Sequence, residues 1–70
     1  MAHALLRACW PVIRRDIPRY WGKLTESDVD AIGGQYEPFV QALRRQYGFS
    51  RVKAEDELDS YLFGFSGRAA

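Results

Sequence analysis

The sequence predicts an all-α fold, a compact small bundle of about four short helices, the first of them interrupted by prolines. Three observations carry that reading. Apolar residues recur at steps of three and four in each longer segment, which marks one face of an amphipathic helix. Capping residues and glycines bracket those segments at the positions where helices start and stop. No stretch shows the period-two alternation of a half-buried strand. At 70 residues the chain is one domain, residues 1–70, close to the lower size limit for burying a sufficient core unaided.

The first segment places Leu6, Trp10, Ile13, Ile17, Tyr20, Trp21 and Leu24 on one helical stripe, with Arg7, Arg14, Arg15 and Asp16 largely off it. Pro11 lacks an N–H and collides with the carbonyl four residues back, so it belongs early in a helix. A short turn or helix is therefore expected at about residues 3–9, within a fraying stretch 1–10, and a firm helix from about Pro11. Pro18 either kinks or ends that helix. The strongest local signal follows at residues 24–34. Thr25 is a good N-cap, and Asp28 stands three residues on, where its carboxylate reaches back to the Thr25 N–H. Leu24 and Val29 have the spacing of a hydrophobic staple, and Gly33-Gly34 ends the helix.

The next helix carries Phe39, Val40, Leu43 and Tyr47 at helical spacing, with Pro38 in its first turn and Arg44 and Arg45 in its last, near the negative end of the dipole. Gly48 is its left-handed stop, and Phe49 is placed to fold back on Leu43 or a near neighbour. Ser50 caps a final helix from residue 51 to about 63. Its inner face is Ala54, Leu58, Tyr61 and Leu62, and Glu55, Asp56, Glu57 and Asp59 turn to water. Residues 64–70 hold two glycines and no period, so fraying is expected there.

Charge is unevenly spread over a chain whose net charge is +1. Residues 1–25 hold Arg7, Arg14, Arg15, Arg19 and Lys23 against Asp16 alone, whereas the rest is net acidic. The two parts are expected to pack together and partly neutralise each other; the five basic residues are also the candidate contacts for a phosphate or a partner. Cys9 is the single cysteine and forms no internal disulfide, which favours a reducing compartment. The apolar run near the start is too short for a membrane span and lacks a charged leader. A soluble, cytoplasmic protein is expected.

Trp21-Gly22-Lys23-Leu24-Thr25, then Asp28, Ile32 and Gly34, then Leu43, Tyr47-Gly48, Ser50 and Ala54-Glu55 resemble the CsbD-like family of small bacterial proteins. The register runs without a gap from Trp21 to Glu55. This chain departs from the family pattern in three places: it has prolines at 11 and 18, Gln41 in place of a common small residue, and His3 where an early aromatic is frequent. The resemblance implies a compact all-α domain of about four helices and an association with the general stress response. It implies no catalytic residue.

The residues themselves point away from catalysis. His3, the only histidine, has no cluster of nitrogen or sulfur ligands beside it in sequence, and Cys9 has no histidine at a persuasive spacing. The acids at 55–59 lack the loop glycine and alternating ligands of a calcium loop. Gly33-Gly34 lacks the Lys-Ser/Thr of a phosphate loop. No cofactor or metal is therefore expected. Trp10, Tyr20, Trp21, Tyr36 and Tyr47 are assigned mostly to the core, with one or two left for a surface. Two functions follow. The first is a non-catalytic, stress-associated protein acting through abundance, protection or contact with a protein partner. The alternative is a nucleic-acid-binding module using Arg7, Arg14, Arg15, Arg19 and Lys23 against phosphates, although no base-reading motif is present.

Overall fold

In the computed structural model, which describes residues 2–69, five α-helices follow one another: α1 (Ala2–Ala8), α2 (Trp10–Tyr20), α3 (Glu26–Ile32), α4 (Tyr36–Tyr47) and α5 (Arg51–Ala69). Helices α1 and α2 are the two parts of the proline-interrupted first segment. The Cys9 N–H still donates to the Leu5 carbonyl at 2.9 Å, but Pro11 has no N–H to continue the ladder. The chain bends at Cys9 and restarts with Trp10 and Pro11 as the first two helical residues. Pro18 does not end α2. The helix continues to Tyr20 and closes with the Trp21 N–H on the Ile17 carbonyl at 2.7 Å. What Pro18 removes is the donor for the carbonyl of Arg14, and Arg14 lies at the surface, where water serves instead.

Helix α3 is closed at both ends as its sequence requires. The Asp28 N–H donates to Thr25 Oγ1 at 3.1 Å and the Thr25 N–H donates to Asp28 Oδ2 at 2.9 Å, so two of the orphan donors satisfy each other's side chains. Leu24 and Val29 are both buried. Gly33 and Gly34 follow at φ of 54° and 81°. Gly34 is doubly constrained, because a Cβ there would lie 3.1 Å from Cγ of Trp10. The α3–α4 turn therefore passes directly against the start of α2.

Helix α4 packs along α5, α3 packs on α4, and α1 rests against both α4 and α5. Leu6, Ile13, Ile17, Ile32, Phe39, Val40, Leu43 and Leu58 are essentially inaccessible. Trp21, just past the end of α2, stands in the middle. Its ring centroid is 5.2 Å from Phe39 and 5.1 Å from Tyr61, at tilted angles that suit aromatic quadrupoles. The other aromatic residues expected in the core lie nearer its edge. Trp10, Tyr36 and Tyr47 are half-buried, and Tyr20 is half-exposed with its ring edge-on to Trp21 and Tyr61. Tyr36 and Tyr47 keep their hydroxyls on polar partners, the Asp59 carboxylate and the Lys23 N–H, which favours the rim.

Helix α5 is longer than its sequence pattern predicts. It passes Gly64 and Gly67 and runs to Ala69. Phe65 supplies the reason: it is buried, with its ring 6.1 Å from Tyr61, so packing extends the helix by more than a turn against low local propensity. The expectation of fraying at Met1 and Ala70 lies outside the described residues.

Candidate functional site

The five basic residues singled out from the sequence do not converge on one site. Arg14 leaves the side of α2 and donates to Asp30 Oδ1 of α3 at 2.7 Å. Lys23, in the loop after α2, lays its Nζ 5.3 Å from the ring centroid of Tyr47, and its backbone N–H donates to the Tyr47 hydroxyl at 3.2 Å. Two of the five are thereby engaged in holding the bundle. Arg7, Arg15 and Arg19 are exposed and form no ion pair among the described residues. Arg15 and Arg19 stand one turn apart on the outward side of α2, opposite Ile13 and Ile17. Arg7 is separate, on α1.

The densest polar arrangement lies elsewhere and surrounds Asp28. Besides its cap bonds, this carboxylate accepts from Arg45 Nη2 at 3.2 Å and from Gln46 Nε2 at 2.8 Å. The Thr25 N–H, above all, holds the carboxyl pKa down to about 2, with Arg45, Gln46 and the Thr25 hydroxyl adding to it against the opposing effect of burial. Asp28 is the one charged side chain among the described residues that is buried. Cap spacing reveals its local role. Nothing in the spacing reveals the second role, because Arg45 and Gln46 are 17 and 18 residues away.

A second polar set joins α4 to α5. The Arg51 guanidinium grips both oxygens of Glu37 and also reaches Glu55 Oε2 at 3.1 Å. Glu37 is held down to about 2 by the Arg51 and Gln41 hydrogen bonds. The Tyr36 hydroxyl donates to Asp59 Oδ1 at 2.7 Å; burial and then that carboxylate push the phenol above its ordinary range. His3 stacks flat on the Tyr36 ring, centroids 4.4 Å apart. Tyr47 and Phe49 stack at 5.2 Å, and Lys53 Nζ lies 5.7 Å from the Phe49 ring centroid. Phe49 thus folds back on Tyr47 and packs against the core that contains Leu43.

Among the described residues no three His, Cys, Asp or Glu side chains come close enough to share a metal ion, and every buried side-chain nitrogen or oxygen has a hydrogen-bond partner. Two openings among the described residues are wide and open to solvent. One of about 430 Å³ is lined by His3, Ala4, Arg7 and Ala8, and one of about 390 Å³ by Gln41, Arg44, Arg45, Gly48 and Phe49. Cys9 is a half-buried free thiol packed on the core. No helix among the described residues is long and apolar enough to cross a membrane.

Comparison with known proteins finds small bacterial relatives of this chain. A UPF0337 protein of Protochlamydia amoebophila is 40% identical over 48 residues, 69% of this chain and 73% of its own. The UPF0337 protein YjbJ of an Escherichia coli O6:H1 strain is 33% identical over 52 residues, 74% of this chain and 75% of its own. A UPF0337 protein of Pseudomonas aeruginosa is 32% identical over 57 residues, 81% and 88% of the two chains. No family model and no solved structure matches.

Proposed function

We propose, from the premise that this chain belongs to the UPF0337 family of CsbD-like proteins, that it is a small non-catalytic protein of the stress response, cytoplasmic and acting by contact through its surface. The observation that carries this reading is the use made of the polar side chains. Asp28, the one buried charge among the described residues, accepts three hydrogen bonds on its carboxylate, from the Thr25 N–H, Arg45 and Gln46, and its own backbone N–H donates to the Thr25 hydroxyl. The Glu37, Arg51 and Glu55 set is likewise closed on itself. A catalytic group needs an open position beside a substrate, and these groups are consumed in joining helices.

The test is stoichiometric. In cells lacking the gene and supplied with graded amounts of the chain, protection under stress should scale with copy number, as contact requires. Full protection from a few copies per cell would point to turnover instead.

A second reading, a nucleic-acid-binding module, draws on the exposure of Arg7, Arg15 and Arg19. Even if Arg14 and Lys23 left their partners and all five engaged duplex phosphates, the salt slope would be about −4.5. Affinity would then fall roughly 500-fold between about 50 and 200 mM salt. Titration of labelled duplex and single-stranded DNA and RNA should therefore show no saturable sub-micromolar binding at the higher salt. Such binding, lost on Arg15→Ala/Arg19→Ala, would favour the module.

A further inference from the structure

Three of the four large apolar side chains that stand exposed among the described residues lie on two outward helix faces: Val12 on α2, and Val52 and Phe63 on α5, the last 84% exposed. Eleven residues separate Val52 from Phe63, which is about three turns, so the two share a line along α5. Asp56 and Asp59 occupy the same line between them, both exposed. On α2 the line through Val12 carries Arg15 and Arg19. The flanking basic residues of α5 do not cancel its acids, because Arg51 and Lys53 are paired with Glu55 and Glu57 one turn on. Asp59 accepts one hydrogen bond from Tyr36 through Oδ1, and Asp56 forms no ion pair among the described residues.

We propose that the chain self-associates, the outward face of α2 in one copy docking on the outward face of α5 in a second. Each face is an apolar residue or two framing two like charges, and the charges are opposite between faces. A polyanion would satisfy Arg15 and Arg19 but leave the acidic, Phe63-bearing face uncovered. A basic partner would do the reverse. A second copy covers both at once, and opposite charges at the rim of small apolar contacts fix the register and speed encounter. Where a two-fold axis forms the contact twice, the interface is isologous and closes into a dimer; formed once per pair, it is heterologous and adds copies head to tail.

Sedimentation equilibrium on the full chain, at about 0.5 mM and about 20 mM salt, should give a mass at least twice the 8.1 kDa monomer. In about 500 mM salt, where screening acts within a few ångströms, it should return to the monomer. Arg15→Glu/Arg19→Glu and Asp56→Lys/Asp59→Lys should each be monomeric at low salt, and an equimolar mixture of the two should associate again. Phe63→Ser, which disturbs no buried contact, should be monomeric alone and guards against misfolding of the charge variants. A monomer under all conditions overturns the proposal. So does association untouched by Arg15→Glu/Arg19→Glu, association that survives high salt, or a monomeric parent whose Arg15 and Arg19 bind an oligonucleotide instead.

Discussion

Asp28 accepts from Thr25 inside its own helix turn and from Arg45 and Gln46 across to α4, so the residue that starts α3 also attaches it to the next helix. Two measurements separate these roles. Thr25→Ala should lower stability by about 1 kcal/mol, whereas Ser27→Ala in the same turn, exposed and outside the cap, should cost clearly less in chemical denaturation. Asp28 adds a pH signature. Its folded pKa of about 2 lies below the ordinary 3.8, so its contribution is complete above the ordinary value and is lost as pH falls toward 2. The size is about 2 kcal/mol. Urea melts of the parent at pH 5 and pH 2 should differ by that amount more than melts of Asp28→Asn do. Glu37 shifts the same way, but it is present in both chains and cancels. Equal pH dependence in parent and variant would remove Asp28 from its assigned place. The cap half of this arrangement was legible at residues 24–34, because cap and staple chemistry is local. The Arg45 and Gln46 half depends on how α3 meets α4, and no short-range pattern encodes that.

Helices α2 and α5 show where element-scale reasoning succeeded and where packing overrode it. The stripe through Ile13 and Ile17 and the inner face of Ala54, Leu58, Tyr61 and Leu62 are buried as their spacing requires. The end of α5 is not where Gly64 suggests, because glycine propensity is worth only about 1 kcal/mol and a buried phenylalanine ring outweighs it. That balance makes two neighbouring aromatics behave differently. Phe65→Ala should destabilise by about 2 kcal/mol or more, while Phe63→Ala should stay within about 0.5 kcal/mol of the parent at concentrations where the chain is monomeric. Thermal melts monitored by helical circular dichroism distinguish the two. Similar losses at both positions would mean that α5 is rotated from its described phase. Pro18 is the converse case. Its missing N–H falls in the last turn of an exposed segment, so the helix tolerates it; that depends on where the helix ends, which propensity leaves open.

At the scale of the whole molecule, interior polar groups are closed on one another and the remaining chemical resources are on the outside, chiefly Arg15 and Arg19 on α2 and the Asp56–Phe63 line on α5. Charge asymmetry between the first third and the rest was visible in the sequence. Its division into structural and unpaired cations was not, since Arg14 and Lys23 find Asp30 and Tyr47 only in the folded chain. The central claim, a non-catalytic protein working by surface contact, is tested most directly by photo-crosslinking in stressed and unstressed cells from a probe placed at Val12. The account predicts protein adducts, this chain among them, that increase under stress and disappear with Arg15→Glu/Arg19→Glu. Recovery of nucleic acid alone, or of no macromolecule under either condition, would contradict it.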